Sequence, residues 1–557
     1  MASRIPPKRG GRSSYATFSV LNPGKGLNTL ISDNLLNDQE SSSLENIMFV
    51  EAGDPAKSYG FTNVGTGLVN NPRGLGYYND TIAGVKYLYT VDGTALKYLN
   101  NTTWTAVTGA AFDATGQINF TQARGSVYIM DGVNPLAKVA TGGTLTRNGH
   151  SPKAKFSIYY AGRQFASGAD GMPNRVYISK TSDASEFTVN TGGTQPQPDN
   201  TSDADSSTPN VPGATAFSSD AAGLANANCI DIGKFDGDKI TGFAKFQDAL
   251  IIFKERAIYQ LTLDSTGLPI ITQITKNYGC VSHRSIDNVE NEIFFLSRNG
   301  LYVLGNEPNY FNVIRTNELS ARIHPIIDTI NPSQFTKASA LFNQYVYYLG
   351  IPSGGTTVNN TTVTYDRRFM AFSRQTHIQP EALTLYTDTS NVDTIYFTSA
   401  NSANVYKMTQ NYDANGVAIS AQWTSKAFDL GEFSLYKRWI WVDILFRQLI
   451  GTIKIDIYSD NGNLVKTTSI SSSQTGGLGT NSLGGGDELG STVQANTTGT
   501  TTASTNIPYR VKLGIKSRTI KVKTSNGQIN ETFVILGLDF AYRKYSSFIF
   551  PSAQKLN

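Results

Sequence analysis

Catalytic or metal-binding chemistry would first be sought at the few histidines and cysteines of this chain. The four histidines are His150, His283, His324 and His377, and none has partners at the spacing of a metal site. Cys280 lies three residues before His283, but no second pair accompanies them. We therefore expect a packed thiol and a surface imidazole there, and no metal or other cofactor.

The carboxylates give a weak signal. Asp231, Asp236 and Asp238 could bind calcium, but their spacing matches no known loop, and a solvated turn is the better interpretation. The Ser-Asp-Asn-Gly stretch at 459–462 is only a fragment of the Asp-box pattern of sialidase-like propellers, and it predicts a hairpin turn. Nucleotide-binding glycine loops and a nucleophile elbow are absent from the sequence. A carboxylate pair for glycoside hydrolysis stays open, because any two Asp residues can meet in space.

The composition favours β-structure. The chain has 557 residues, of which only 16% are charged, and it is rich in Gly, Asn, Thr, Ser and Tyr. This length favours two or three domains. A net charge of +4 is small for the size and gives no argument for a protein that coats nucleic acid.

Signals for export or membrane insertion are weak as well. The basic start MASRIPPKRGGRSS is not followed by the apolar run of a secretory signal, and no stretch has the apolar length of a membrane helix. The two cysteines, Cys229 and Cys280, suit a reducing compartment. We expect a chain that is made in the cytoplasm and does not itself insert into a membrane.

A strand–turn–strand unit recurs along the middle of the chain. At 250–261, LIIFKERAIYQL joins two apolar runs through Lys-Glu-Arg. Similar units begin near residues 87, 127, 156, 293, 345 and 395. Most intervals are roughly 30 to 50 residues, the repeat length of propeller blades. The sequence therefore predicts an all-β chain with a β-propeller of about seven blades, and an open stack of β-sandwiches is the alternative.

Three regions are predicted from these patterns. Residues 1–80 are expected to form an arm and an irregular platform segment, and 81–420 the propeller. Residues 421–557 are expected to form a C-terminal β-sandwich that serves as a tip or platform. A Ser/Thr/Asp-rich insertion at about 181–224 is expected between blades, and a Gly/Thr-rich loop occupies 467–507.

Two local patterns add detail. Asn37 followed by Glu40 resembles a helix capping box and predicts a short helix. Ile453, Ile455 and Ile457 alternate with the polar residues between them. We therefore expect a strand with one buried face and one wet face at that point.

Three passages, in this order, resemble a known family. The first is GLNTLISDNLLNDQESSSLENIMFVEAG with SYGFTNVG, and the second is MPNRVYISKTSDASEFTV with DKITGFAKFQDALIIFKERAIYQL. The third is GCVSHRSIDNVENEIFFLSRNGLYVL. The series resembles the β-propeller tail proteins of short-tailed bacteriophages, called nozzle, hub or DNA-stabilisation proteins. It covers most of residues 20–420, and the segments 181–224 and 467–507 depart from it.

The resemblance implies a structural protein of the virion tail and no enzyme. Copies of the chain, commonly six, would form a ring below the portal and its adaptor, near the tail fibre proteins. The ring would hold back the packaged genome and then let the DNA pass through its lumen without sequence-specific binding. Its assembly would take place in the host cytoplasm.

Two segments become candidate sites under this resemblance. The basic arm contains Arg4, Lys8, Arg9 and Arg12, which are candidate contacts with a neighbouring subunit or the adaptor. The loop at 467–507 is a candidate tip or gate that narrows the lumen. Its candidate residues are Gly476, Gly477, Gly484, Gly485, Gly486, Asp487 and Glu488.

Two other functions are compatible with a propeller. The 28 tyrosines favour a receptor-binding or carbohydrate-binding propeller on a tail fibre, since tyrosine rings stack on sugars. A propeller glycoside hydrolase is the second alternative, although the sequence marks no carboxylate pair for it.

Overall fold

The computed structural model describes residues 15–187, 228–472 and 507–544, apart from short gaps. The gaps are at 81–83, 141–142, 149–150, 170, 182, 234–235, 264–268, 307–313 and 389–390. The chain divides into two compact units. The first unit comprises residues 1–59, 368–373 and 411–557, and the second comprises 60–367 and 374–410.

The strands are numbered in chain order, and the first four belong to the first unit. They are β1 (Ala16–Leu21), β2 (Ser41–Glu45), β3 (Ile47–Phe49) and β4 (Pro55–Lys57). The second unit opens with β5 (Phe61–Asn63). The predicted boundary at residue 80 is therefore too late, because a strand of the propeller unit precedes it.

Seven four-stranded antiparallel meanders form the propeller and are called blades 1 to 7. Blades 1 to 6 follow β5 in the chain, and blade 7 includes it. Blade 1 is β6 (Leu75–Asp80), β7 (Val85–Asp92), β8 (Ala95–Asn100) and β9 (Thr103–Ala106). Blade 2 is β10 (Asn119–Ala123), β11 (Ser126–Met130), β12 (Ala137–Ala140) and β13 (Thr146–Arg147). Blade 3 is β14 (Phe156–Tyr160), β15 (Arg163–Ser167), β16 (Arg175–Ile178) and β17 (Asn228–Asp231). Blade 4 is β18 (Ile240–Phe246), β19 (Ala249–Lys254), β20 (Ile258–Leu263) and β21 (Pro269–Thr275).

The remaining three blades complete the set. Blade 5 is β22 (Asp287–Val289), β23 (Glu292–Ser297), β24 (Gly300–Asn306) and β25 (Ile314–Glu318). Blade 6 is β26 (Ser339–Asn343), β27 (Val346–Ile351), β28 (Thr361–Asp366) and β29 (Ala371–Gln375). Blade 7 is β30 (Ala382–Thr387), β31 (Asp393–Thr398), β32 (Val405–Met408) and β5. Each of the seven predicted hairpins lies in a different blade, which confirms the propeller.

The innermost strands close a ring. Each of β6, β10, β14, β18, β22 and β26 contacts the innermost strand of the next blade, and β30 contacts β6. The ring is also closed through the chain itself, because β5 pairs with β32 in blade 7, with Phe61 opposite Met408. A closed ring leaves only the short outermost strands as edges. The alternative of an open stack of β-sandwiches is wrong for this unit.

Blade packing explains the continuous apolar run of LIIFKERAIYQL. Leu250 and Ile252 pack with blade 3, in a cluster that includes Phe156. Ile251 and Phe253, which point the other way, pack with blade 5. A middle strand of a blade is buried on both faces, so alternation of apolar and polar residues is lost there.

The insertion predicted between blades lies within blade 3. Strand β16 pairs antiparallel with β17, with Val176 opposite Ile230, and the inserted segment connects these two strands. Residues 188–227 themselves lie outside the described residues. The correction rests on strand pairing, which the composition of the insertion does not reveal.

The strands after the propeller belong to the first unit. They are β33 (Asp413–Ala414), β34 (Val417–Ala418), β35 (Ala421–Ser425), β36 (Lys437–Ile450), β37 (Thr452–Tyr458), β38 (Leu464–Ser471), β39 (Ile507–Ser517), β40 (Lys521–Asn526) and β41 (Thr532–Lys544). One sheet of the sandwich runs β3-β4-β41-β36-β39, with β1 paired to β41, and the other contains β2-β35-β40-β37-β38. Buried Trp423 and Trp439 each come from one of these sheets. The sandwich thus includes N-terminal strands that the predicted boundary at 421 had left out.

Helical segments in the described residues are short. They are the α-helix His324–Ile327 and the 3₁₀ turns Glu51–Gly53, His283–Ser285, Ala321–Ile323, Pro332–Lys337 and Asp460–Gly462. The helix predicted after Asn37 is wrong. The Glu40 carboxylate does accept a hydrogen bond from the Asn37 backbone N–H (3.0 Å), but a strand comes next because Leu44 pairs with Trp423.

The alternating strand at 453–457 is β37, and its isoleucines are buried as predicted. The opposite face is not uniformly wet. Asp456 is buried and accepts a hydrogen bond from the Thr467 hydroxyl (2.6 Å), which stands directly opposite on β38. The neighbouring strand therefore covers part of the face that was expected to contact water.

Replacing Phe61 tests the closure of the ring by β5. Its ring lies 5.1 Å from Phe397 and 4.8 Å from Tyr406, centroid to centroid. We expect Phe61→Ala to lower the free energy of unfolding by about 3–5 kcal/mol, since it empties a core position of blade 7. Urea unfolding measures the change. Thr62→Ala, on the exposed side of the same strand, should cost less than about 0.5 kcal/mol; equal losses would contradict a closing role for β5.

Candidate functional site

The innermost strands of the propeller surround a cavity of about 420 Å³. Its described lining comes from Leu75, Gly76, Tyr77, Ile118, Asn119, Phe120, Gln122, His283, Arg284, Ile286, Ser339, Ala340, Ala382, Leu383 and Thr384. These residues belong to blades 1, 2, 6 and 7 and to the segment that enters blade 5. A Cβ atom at Gly76 would lie 2.3 Å from the Phe120 ring, so the close approach of β6 and β10 requires glycine.

The segment that enters blade 5 carries two polar side chains, His283 and Arg284, to this cavity. Its backbone is held in place by neighbouring strands. The Ser282 hydroxyl donates to the Ala338 carbonyl (2.6 Å), and the Tyr347 hydroxyl donates to the Ser285 carbonyl (2.7 Å). These bonds fix the backbone of Arg284 independently of the contacts that its side chain makes.

Arg284 bonds across the axis to three other blades. Its Nη2 donates to the carbonyls of Arg73 (2.8 Å) and Ile118 (2.5 Å), in the approaches to blades 1 and 2. Its Nε donates to the Asn119 side-chain carbonyl (3.0 Å). Its Nη1 donates to the Glu381 carbonyl (3.0 Å) and lies 3.7 Å from the Glu381 carboxylate, at the start of blade 7.

This arrangement makes Arg284 a tie across the ring, which means that its side chain links the segment that enters blade 5 to blades 1, 2 and 7. A guanidinium offers five N–H donors in one plane, and the four hydrogen bonds just described use all three of its nitrogens. The carbonyls of Ile118 and Glu381, just before the innermost strands of blades 2 and 7, thereby gain a donor. The guanidinium is thus engaged by the protein and is not presented to a ligand.

Burial sets the electrostatics of the same segment. It lowers the pKa of His283 to about 4, assisted by the nearby Arg284 charge, so the imidazole is neutral at physiological pH. The ring stacks on Phe156, 4.9 Å between centroids. The predicted surface imidazole is therefore wrong: His283 faces an interior cavity and packs against blade 3.

The thiol of Cys280 is buried, as predicted. Burial raises its pKa to about 12, and it lies 3.1 Å from the Ser282 carbonyl, to which it donates. A nucleophilic cysteine needs a lowered pKa, because the thiolate is the reactive form. Cys280 is therefore a packing residue, and it does not pair with His283.

The described lining of the cavity contains no Asp or Glu. Glu381 stands at its border and faces Arg284 and, at 3.7 Å, Lys337. Acid–base hydrolysis of a glycoside needs two carboxyl groups on either side of a bound sugar. The cavity does not supply that pair from its described residues.

The three aspartates considered for calcium do not converge. Asp231 pairs with Arg175 (3.0 Å) and Asp236 with Lys254. Asp238 accepts hydrogen bonds from the backbone N–H groups of Glu255 (3.1 Å) and Arg256 (2.9 Å), the turn of the blade 4 hairpin. Across the described residues, no group of three or more His, Cys, Asp or Glu side chains is placed to hold a metal ion.

The candidate contacts that the resemblance implies fall outside the described residues. This holds for Arg4, Lys8, Arg9 and Arg12 in the arm. It also holds for the tip or gate residues Gly476, Gly477, Gly484, Gly485, Gly486, Asp487 and Glu488. Both sets remain predictions.

The principal residue that the sequence analysis missed is Arg284. The passage GCVSHRSI that contains it carries part of the family resemblance, without a role for the arginine. A usable signal was present, since Arg284 is a charged residue in a short segment between apolar Val281 and Ile286, flanked by Ser282 and Ser285. A long cation in such a place requires a set of buried acceptors.

Within the part of the chain that the structure describes, no helix is long and apolar enough to cross a membrane.

No protein-family model matches the chain, and no curated protein matches it. Solved structures resemble it at low scores. The extracellular domain of a hybrid two-component system from B. thetaiotaomicron has a TM-score of 0.36 and 10% identity, over 74% of this chain and 49% of that one. The AfRom2 CNH domain has a TM-score of 0.36 and 7% identity, over 62% and 97%. BamB from Moraxella catarrhalis has a TM-score of 0.33 and 12% identity, over 61% and 83%.

The chain spans about half the length of the first two structures that it matches. Scores and identities at this level give no argument about function. The fold is established by the strand pairing and by the closed ring of innermost strands. A propeller of this kind is compatible with a binding or structural role.

Replacing Arg284 tests the tie across the axis. We expect Arg284→Met to lower the free energy of unfolding by about 3–5 kcal/mol, because it leaves the buried carbonyls of Ile118 and Glu381 without this donor and removes one of the two cations that face the Glu381 carboxylate. Urea unfolding provides the measurement. The control is Arg298→Met, which removes an exposed ion pair with Glu255 and should cost no more than about 1 kcal/mol. A loss at Arg284 no larger than at Arg298 would rule out the tie.

Two groups beside the cavity give opposite pH dependences. The lowered pKa of His283, from 6.5 to about 4, means that the unfolded state binds a proton first, so stability falls as pH drops through this window. Burial raises the pKa of Asp287 from 3.8 to about 6, so the folded state is protonated first and stability rises as pH drops from 6 to 3.8. Between pH 4 and 6 the two effects oppose each other.

Removing the Asp287 carboxyl group should reveal the pH dependence of stability that His283 causes. Asp287→Asn should make the free energy of unfolding fall more steeply than in wild type from pH 6 to 4, by up to about 3 kcal/mol. Urea unfolding at a series of pH values checks this. Asp248→Asn, at an exposed position, should keep the wild-type profile. An unchanged profile in Asp287→Asn would show that Asp287 titrates normally.

Proposed function

We propose that this protein is a structural component of a bacteriophage tail, a nozzle or hub that forms a ring of identical copies, commonly six. The ring attaches below the portal and adaptor, holds back the packaged genome and conducts the DNA during ejection. The support comes from the three passages that resemble the family of propeller tail proteins.

The observation that carries the proposal is where those passages lie in the fold. The first passage contains β2, β3 and β5, and therefore the strand that closes the ring. The second contains β16 and β18 to β20. The third contains Arg284 and β22 to β24. The resemblance thus falls on elements that define the architecture, including the tie across the axis, and it is not confined to one surface loop.

The propeller axis is not the DNA path in this proposal. A cavity of about 420 Å³ that is crossed by Arg284 is closed by protein groups on opposite sides of the ring. The conduit is the lumen between copies of the chain, so the function requires the oligomer. Weak contacts suffice for it, because a symmetric ring repeats each contact at every subunit boundary.

One outer edge of the propeller is suited to such a contact. Strand β21 is the outermost strand of blade 4, has seven residues and no charged residue, and exposes Ile270 and Ile271. The outermost strand of blade 5, β25, carries Arg315 and Glu318. A long uncharged edge with apolar side chains is a template for pairing with another chain, whereas charges discourage it.

The alternative functions have no comparable observation in their favour. Carbohydrate binding was suggested by the tyrosines, but Tyr78, Tyr89, Tyr128, Tyr177 and Tyr347 are buried in the blades. Glycoside hydrolysis would need a carboxylate pair, which the described lining of the axial cavity does not contain.

Electron microscopy of virus particles from the source of this chain, labelled with an antibody against it, tests the proposal. Label is expected at a single vertex, on the tail axis, with about six copies per particle by quantitative mass spectrometry. Pre-immune antibody is the control. Label on peripheral fibres, or particles without the protein, would exclude the nozzle role and direct attention to glycan binding and hydrolysis.

A further inference from the structure

A fully buried lysine of the sandwich contacts an amide side chain. Among the residues that the structure describes, three lysines are completely buried, namely Lys57, Lys254 and Lys437. Lys254 pairs with the carboxylate of Asp236, and Lys437 donates to three backbone carbonyls. Lys57 instead donates to the Oδ1 atom of Asn526, at 2.7 Å.

The two side chains come from different sheets of the sandwich. Lys57 lies on β4, and Asn526 is the last residue of β40 in the other sheet. Alternate residues of β40, namely Val522, Thr524 and Asn526, are buried, so the Asn526 side chain points to the interior. The lysine amine also donates to the Gln528 carbonyl (2.8 Å), in the turn after β40. A covalent bond between the two side chains would therefore join the two sheets.

The amide nitrogen of Asn526 is held by a carboxylate. Its Nδ2 donates to Glu531 Oε2 (2.7 Å) and to the Thr452 carbonyl (2.8 Å). The same carboxylate oxygen accepts a hydrogen bond from the Thr452 backbone N–H (3.0 Å). A Cβ atom at Gly451 would clash with the Glu531 carboxyl carbon, so glycine makes room for the carboxylate here. The carboxylate thus contacts the nitrogen of the amide, while the lysine amine contacts its oxygen.

The interior of the sandwich favours the reactive form of the amine. Lys57 is 0% exposed and Asn526 is 4% exposed. Burial lowers the pKa of Lys57 from 10.5 to about 8, and the nearby Glu531 opposes this shift only in part. The neutral amine is the nucleophilic form of lysine, and the lowered pKa makes it more abundant at physiological pH. The same burial keeps water, which would compete for the amide carbon, away from the pair.

We propose that Lys57 and Asn526 form an intramolecular isopeptide bond, with Glu531 as the proton carrier. The Asn526 Cγ lies one bond beyond Oδ1, so only a short approach separates it from the Lys57 Nζ at a reactive distance of about 3–3.5 Å. The Nζ–Cγ bond forms and the Cγ–Nδ2 bond breaks. Glu531 takes up the proton that the amine loses and delivers a proton to Nδ2, which leaves as ammonia. The carboxylate ends as it began, and no oxidant or second reactant is needed.

Such a bond would constrain the unfolded chain strongly. The two residues are 469 positions apart, so the bond closes a loop that contains the whole propeller. A cross-link lowers the conformational entropy of the unfolded state, and this effect grows with the length of the loop. An amide bond, unlike a disulfide, also persists under reducing conditions. Because it forms within one chain, the bond does not depend on the proposed role in a tail.

Mass spectrometry of the purified full chain tests the bond. Intact wild type should be lighter than its sequence mass by one molecule of ammonia. Trypsin does not cleave after a lysine whose amine is acylated, so the digest should contain segment 26–73 joined through Lys57 to segment 524–543. In denaturing gel electrophoresis the cross-linked chain should migrate differently from a linear chain, since the closed loop cannot extend fully.

Two variants separate the chemistry from the packing. Lys57→Met removes the nucleophile and should leave the chain linear and at its full mass. Glu531→Gln keeps an oxygen acceptor for the Asn526 amide but carries no proton, so the bond should form at least about 100-fold more slowly. Circular dichroism shows whether this variant is folded. The control Lys523→Met removes a lysine from the opposite face of β40 and should cross-link as wild type does.

The linked peptide is sought in wild type, so the outcome does not depend on the folding of a variant. Wild type at full mass, with segments 26–57 and 524–543 recovered separately, would overturn the inference. Loss of ammonia within segment 524–543 alone, retained in Lys57→Met, would overturn it too and assign the change to attack by the Gly527 backbone nitrogen on Asn526. A folded Glu531→Gln variant that cross-links as fast as wild type would overturn the role of Glu531.

Discussion

The cost of burying polar groups on the axis is the constraint on which the propeller depends. Seven innermost strands converge there, and backbone carbonyls beside three of them, those of Arg73, Ile118 and Glu381, point at the same guanidinium. Arg284 meets this demand with one planar side chain, which reaches blades 1, 2 and 7 from the segment that enters blade 5. A shorter or less branched side chain has too few donors for these acceptors. The consequence is a buried charge, whose burial also lowers the pKa of Arg284 and of neighbouring His283.

Radial packing supplies the rest of the stability, and it acts on each blade from two sides. Residues of β19 alternate between the core shared with blade 3 and the core shared with blade 5. The circle is then completed by β5, a strand that comes from the other end of the propeller sequence and joins β32. Each blade therefore depends on both neighbours, and loss of any one boundary exposes two apolar faces.

The axis is closed and apolar side chains fill the space between neighbouring blades, which restricts where a partner can bind. The central cavity is small and its strongest polar group is already engaged, so contacts with large partners fall on exposed edges and faces. One such surface is the outer edge at β21, which carries no charged residue and exposes Ile270 and Ile271. Uncharged strand edges that lack a neighbour are templates for pairing with another chain.

Local sequence patterns were sufficient for the repeat unit. Each of the seven hairpins is predicted by apolar runs, polar turns and their spacing, because strand pairing within a hairpin is a contact between near neighbours in the chain. The buried thiol of Cys280 and the buried isoleucines of β37 were predicted on the same local basis. The prediction of a helix after Asn37 is wrong. The expected turn does form, but Leu44 then pairs with Trp423, so the chain continues as a strand.

Only the tertiary structure decided which residues far apart in the sequence come into contact. Pairing of β5 with β32, the place of the insertion inside blade 3 and the N-terminal strands of the sandwich depend on such pairings. Arg284 meets Arg73, Ile118 and Glu381 only after the ring has closed. The sequence by itself determined the all-β class and the blade repeat, since these depend on local periodicity. Closure and the axial tie depend on which distant strands become neighbours, and periodicity carries no information about that choice.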